Sequence, residues 1–261
     1  MDKGKRKIIF RQHNALDQQL LDIGMKYSSH SFLANPAGQN IFLYLTAYVA
    51  IFSEEYFRKK LSELCIVDWG CGKGHVTYLL QKRGGNIISC DIQNERLDSS
   101  FGQETPIIEI NNIDVLPLKH SYLLPFDDNS VDVLLSFGVL EHVSNDERSI
   151  NEISRVLRKG GLFFCFNLPY NYSWTQRLAH VRGQFYHDKL YTKKMVSKFC
   201  ELNELEVIDI WHRQLFPKNS INYPIYQVFE RVDQFLAAYT PLKYLATNIE
   251  FVAKKITSAG S

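Results

Sequence analysis

Chemistry in this chain begins at a turn. Ile66-Val67-Asp68-Trp69 runs into Gly70-Cys71-Gly72-Lys73-Gly74, and Val76-Thr77-Tyr78-Leu79-Leu80 follows. A short apolar run, three glycines at alternate positions and then a helical pattern read as strand, turn and helix. Glycines permit positive φ and let a ligand approach the backbone, while amides at the helix start offer donors to a carboxylate or phosphate. Seventeen residues beyond Gly74 the apolar run Ile87–Cys90 ends in Asp91. A carboxylate there can accept hydrogen bonds from both hydroxyls of a ribose. The spacing is G-x-G-x-G with Asp68 ahead of it, not the G-x-G-x-x-G of dinucleotide sites. A second reactive pair, Glu141-His142, stands just past the apolar run Val131–Phe137. Ligands of open α/β sheets bind at the carboxyl ends of strands, and a histidine there can take a proton near neutral pH.

Strands must present these groups. Short apolar runs at Cys65–Trp69, Asn86–Asp91, Val131–Phe137 and Leu162–Asn167 alternate with helical segments, which implies a mostly parallel sheet. Pro106–Ile110 is a weaker fifth candidate strand. Glu152 to Gly161 reads as a helix stopped by Gly160 or Gly161. Met195–Glu201 reads as a helix, and Glu204–Arg213 and Asn248–Lys254 as a final antiparallel pair. The stretch between that pair, 214–247, is too long for a plain loop and should hold a helix of its own. Upstream, about Leu16 to Leu64 has helical spacing broken at Asn35-Pro36-Ala37-Gly38. The expected arrangement is a helical cap over 1–63 and one α/β domain over 64–261, with 214–247 as an insertion. In class it is α/β, a Rossmann-like, seven-stranded, mostly parallel sheet with helices on both faces.

Bulk properties narrow the partners. Thirty basic and 28 acidic residues in 261 leave a formal charge of +2, far from the excess needed to neutralise many phosphates, so nucleic acid is not an expected partner. Hydrophobic residues make up 45% of the chain, ample for a core. Five cysteines show no C-x-x-C pair and read as reduced thiols of a cytoplasmic protein. The longest apolar stretch, Ile41 to Phe52, is too short to span a membrane at about twenty residues per helix, so no membrane span is expected.

The glycine turn and Asp91 together resemble the class I, Rossmann-like S-adenosylmethionine-dependent methyltransferases. Leu124-Pro125-Phe126-Asp127 through Phe137, followed by Gly138-Val139-Leu140-Glu141-His142, looks like the fourth-strand motif of their small-molecule, type 11 members. The resemblance is close over about Leu64 to Asn167. It implies that Gly70, Cys71, Gly72 and Gly74 hold the methionine end of S-adenosylmethionine and that Asp91 holds the ribose. Asp68 anchors the loop near the cofactor amine. Ile92 packs on the adenine, and Ser121 and Phe137 complete the cofactor set, with S-adenosylhomocysteine as the product. Many relatives carry an aspartate where His120 stands, so adenine recognition falls to backbone amides and Ser121.

For the acceptor, His142 is the candidate general base, with Glu141 beside it. No metal is expected: relatives that ligate magnesium with an acid, a second acid three residues on and the next histidine have an acid where Gly138 stands. His187 and Tyr191 match a segment that covers the acceptor pocket in related enzymes. Tyr170 is a further pocket residue. Its Asn167-Leu168-Pro169-Tyr170 follows the fifth strand, whereas the N-x-P-Y signature of base-amino methylation follows the fourth. The aromatic residues Tyr223, Tyr226, Phe229, Phe235, Tyr239 and Tyr244 suit a lid or a subunit contact, as in a homodimer. The expected reaction is methyl transfer to an oxygen or nitrogen of a small metabolite, with a sugar or nucleotide-linked sugar of surface polysaccharide as a narrower acceptor class. A catalytically silent cofactor-binding partner or sensor and a nucleic-acid methyltransferase are the alternatives.

Overall fold

A computed structural model describes residues 36–92, 106–183, 187, 189–217 and 225–256. The expected first helix of the cap, and Tyr223, lie outside them. The described residues fall into two units, one within Met1–Lys119 and Lys218–Tyr226, the other within His120–Pro217 and Gln227–Ser261. They carry a seven-stranded, mostly parallel sheet, in the order β3 (Val115–Leu118), β2 (Ile87–Ile92), β1 (Ile66–Trp69) in the first unit and β4 (Val131–Phe137), β5 (Leu157–Pro169), β7 (Asn248–Lys255), β6 (Leu205–Arg213) in the second.

In the first unit, α1 (Pro36–Phe57) opens on proline, whose fixed φ suits the first helical turn and whose missing N–H costs nothing there. Ile41 to Ala50 are all buried, so the apolar run is a core helix. Among the described residues no helix is long and apolar enough to cross a membrane. After β1 (Ile66–Trp69) and α2 (His75–Lys82), β2 (Ile87–Ile92) pairs in parallel with β1, Trp69 opposite Cys90. Phe42 of α1 meets the His75 ring edge-on at 4.2 Å, tying α1 to the start of α2.

The expected strand at Pro106–Ile110 is instead helix α3 (Pro106–Asn111). Proline at its start and Glu109 in its first turn favour a helix N-terminus, and Asn112 at φ 49° ends it. The neighbour of β2 is β3 (Val115–Leu118), parallel to it. Pro117 sits within β3, where an edge strand tolerates the lost N–H.

In the second unit, β4 (Val131–Phe137) leads through a turn to α4 (Asp146–Val156), capped by the Asn145 side chain, which accepts from Arg148 N. β5 (Leu157–Pro169) begins directly after it. The glycines therefore do not stop that helix, contrary to the sequence reading. Leu157 is already extended, and the Lys255 ammonium donates to the carbonyls of Ser154 and Leu157, satisfying that end of the helix. Gly161 serves the strand instead: a Cβ there would lie 2.8 Å from Arg158 O and 3.2 Å from Asp132 O, beside the register shift between Val131 and Val133.

Helix α5 (Trp174–Val181) and helix α6 (Lys193–Leu202) precede β6 (Leu205–Arg213). β7 (Asn248–Lys255) lies antiparallel between β5 and β6. The long stretch before β7 holds α7 (Tyr226–Tyr239) and a 3-10 turn at Pro241–Leu245. Asp233, fully buried, accepts at Oδ1 from Leu215 N and Phe216 N, both at 2.7 Å, and so fastens α7 to the chain leaving β6.

Candidate active site

The first unit builds a glycine-rich turn at the end of β1. Gly70, Gly72 and Gly74 all have left-handed φ, at 70°, 51° and 77°. The amides of Gly70 and Cys71 both donate to Cys90 O, at 2.8 and 3.1 Å, which hangs the turn on β2. Two of the glycines are required for different reasons. At Gly72 an added Cβ would meet nothing nearer than Gly70 O at 4.0 Å, so the backbone there lies open to a ligand. At Gly74 it would meet Ile108 Cγ1 at 2.6 Å, so packing against α3 excludes any side chain.

Asp91 joins the turn to the tip of β2. Its Oδ2 accepts from Gly72 N and its Oδ1 from Ile92 N, each at 2.7 Å. Asp68, 1% exposed, accepts from Thr77 Oγ1 at 2.7 Å, and Thr77 shares a second contact with Ser89 Oγ. Burial pushes the Asp68 carboxyl up to about 7, opposed by the Thr77 hydroxyl and reinforced by the charge of Asp91. Cys71 is buried, and Ile92 is half-buried at the strand end. Open backbone at Gly72, three left-handed glycines and a paired acid fit the methionine and ribose ends of S-adenosylmethionine.

In the second unit, Phe137 ends β4 half-buried and edge-on to Phe166 at 4.9 Å. Gly138 N donates to Phe166 O, which starts the turn that carries Glu141 and His142. The Glu141 side chain is 3% exposed, whereas that of His142 is 56% exposed. Their nearest atoms, His142 Nε2 and Glu141 Oε1, are 3.9 Å apart. Burial pushes the Glu141 carboxyl up to about 8. Its Oε2 is buried without a hydrogen-bond partner. His187 comes from a separate segment, its ring 5.4 Å from that of His142. Nothing in the sequence spacing links His187 to residues 45 positions earlier.

Tyr191 is 1% exposed, and its hydroxyl bonds Leu140 O and Asp146 Oδ2. Lys189 Nζ donates to Val143 O at 2.7 Å and reaches Asp146 as well. Residues 189 and 191 thus clamp the turn from Leu140 to Asp146. Tyr170 is buried edge-on to His212 at 4.8 Å, and His212 is edge-on to Tyr244. Burial, with Lys193 and Lys243 nearby, pulls His212 down to about 4. Ser121 is buried, and His120 is exposed and stacked on Tyr122.

Sequence reasoning missed a buried charge network beside this cluster. Arg213 bonds Glu250, which is fully buried, and also Asn167, whose φ is 60°. Pairing Arg213 with Glu250 depends on the antiparallel registers of β6, β7 and β5, which no short motif records.

Residues 67–165 match the family model described as a methyltransferase domain. Over 101 residues the chain is 33% identical to a ubiquinone biosynthesis O-methyltransferase of Rickettsia bellii, covering 38% of this chain and 40% of that protein. The chain therefore matches less than half the length of that relative. An uncharacterized protein of Methanocaldococcus jannaschii is 27% identical over 228 residues, 82% of this chain and 85% of its own. In fold, the chain is similar to a solved S-adenosylmethionine-dependent methyltransferase of Thermotoga maritima, with a TM-score of 0.53 at 17% identity over 81% of this chain and 92% of that one.

Proposed function

We propose that the chain is a class I, Rossmann-like S-adenosylmethionine-dependent methyltransferase that methylates an oxygen, or a nitrogen, of a small metabolite, a reading supported by the methyltransferase-domain match over residues 67–165 and by the likeness in fold. The observation that carries this is the closure of Asp91 onto Gly72 N at 2.7 Å, which makes the acid and the glycine turn one nucleoside-binding construction. When bound, S-adenosylmethionine supplies an electrophilic methyl group on a sulfonium sulfur, which leaves as S-adenosylhomocysteine when the acceptor takes the methyl.

The protein's own share is to bind, to orient and to take a proton. Gly72 and Asp91 hold the methionine and ribose ends, and Asp68 receives the cofactor ammonium. The Glu141–His142 pair receives the proton that an acceptor hydroxyl loses as its oxygen bonds to carbon. Tyr191 and Lys189 fix the turn on which both stand. Oxygen is favoured over nitrogen because a neutral amine needs no base before attack. Tyr170 and His187 belong to the acceptor side. Acceptors to screen are nucleotide-linked sugars, which the sequence pattern suggests, and phenols, which the name of the Rickettsia relative suggests.

The test is calorimetric binding of S-adenosylmethionine and S-adenosylhomocysteine beside NAD, followed by acceptor screening for methylated product. Selective binding of the first two with turnover is expected. Folded protein that binds neither would overturn the proposal, and binding without turnover on any acceptor would leave a silent cofactor-binding partner in its place.

A further inference from the structure

We propose that Glu141, His142 and His187 form a binding site for one divalent cation of the zinc class. One ligand atom from each lies within 4.8 Å of the others. The carboxylate oxygen Oε2 of Glu141 is buried with no hydrogen-bond partner among the described residues, while Oε1 lies 3.9 Å from His142 Nε2. A buried carboxylate oxygen left unbonded is costly, and a cation is one partner that satisfies it.

The donor set selects the ion. Two imidazoles and one carboxylate suit zinc and its first-row neighbours, whereas magnesium prefers an all-oxygen shell. In a tetrahedral shell, bonds of about 2.1 Å put ligand atoms about 3.4 Å apart, so side-chain rotations must draw the observed spread together onto an ion. Those rotations are available at His142, whose side chain is 56% exposed, while Glu141 is held in place by burial. The Tyr191 and Lys189 contacts to residues 140, 143 and 146 bring the segment of His187 to this turn. With three protein ligands, the ion keeps an open position for an acceptor oxygen.

The functional consequence rests on the acceptor-side reading above. A cation at this site would make a bound hydroxyl more acidic, so that the hydroxyl would lose its proton to solvent water while Glu141 and His142 act as ligands and not as the base. Binding itself is independent of that reading and can be measured without an acceptor.

Chelator-treated full-length protein would be titrated with Co²⁺, followed by visible absorption, and with Zn²⁺, followed by calorimetry. One Co²⁺ per chain with ligand-field bands of imidazole coordination is expected, displaced by Zn²⁺. His187→Ala and Glu141→Gln should each weaken binding by more than about a hundredfold, beyond the loss from an outer-shell partner. Retained S-adenosylmethionine binding in the same variants would show that they are folded. Absence of Co²⁺ binding, or binding unchanged in His187→Ala, overturns the site and leaves the methyl-transfer reading standing. Cation binding in protein that fails to bind S-adenosylmethionine would support the site and overturn that reading.

Discussion

Replacing Gly74 by alanine separates two costs that the structure lets one count. The first is conformational: φ is 77°, and left-handed backbone costs an L-residue about 1–2 kcal/mol. The second is steric, since the new Cβ would lie 2.6 Å from Ile108 Cγ1, and overpacking of that kind costs about 1–3 kcal/mol. Gly74→Ala should therefore destabilise by about 2–5 kcal/mol in urea titrations, the sum of those two ranges. Trimming the obstacle with Ile108→Ala removes only the steric part. In that background Gly74→Ala should cost about 1–2 kcal/mol, and the double-mutant cycle should return a favourable coupling of about 1–3 kcal/mol. An equal cost in both backgrounds would refute the packing argument. A cost below about 1 kcal/mol in the wild-type background would refute both.

Asp91→Ala should weaken S-adenosylmethionine binding by about 1–3 kcal/mol in calorimetry, the scale of a hydrogen bond to a charged group, and unchanged affinity would remove its ribose role. For His142→Ala, turnover should fall roughly a hundredfold or more with cofactor affinity retained, whereas normal turnover would remove His142 from the base role. Asp68 gives a pH signature. Its carboxyl is held up to about 7 in the folded state against an ordinary 3.8, so the protein binds that proton more tightly folded than unfolded. Its stabilisation is full below about pH 4 and is lost as pH rises toward 7, so Asp68→Asn should flatten the decline of urea midpoints across that window. Parallel slopes for the two proteins would contradict the burial argument.

The glycine turn and its acid were legible because their information is local. Strand, glycine turn, helix and acid sit within Ile66–Asp91, and each step is set by residue type: apolar run, glycine, apolar run, carboxylate. The strand at Val131–Phe137 was equally plain, because a buried run bounded by Asn129-Ser130 and Gly138 has few other readings. At Pro106–Ile110 local information was ambiguous. An apolar run after proline suits either a strand or a helix start, and Asn112 with its positive φ decided for the helix. The Gly160-Gly161 pair misled for a related reason. Glycine marks both helix ends and bulges, and the distant Lys255 settled which. Nor did any local pattern set His187 beside Glu141, or Arg213 beside Glu250. Those encounters depend on contacts and strand registers made across tens of positions by Tyr191, β6 and β7.

The place of β7 between β5 and β6 has a consequence for how the chain is made. Synthesis runs from β5 through β6 to β7, so β6 leaves the ribosome with its neighbour in the sheet still untranslated. Until Asn248–Lys255 emerges, the Leu162–Pro169 edge of β5 and the whole of β6 present unpaired amides and carbonyls, the surface on which strands of different chains join. Arg213 waits with them for Glu250, and the carbonyls of Ser154 and Leu157 wait for Lys255. A nascent chain halted before Asn248 is therefore the form most exposed to aggregation. The step that closes the sheet also neutralises its buried charge.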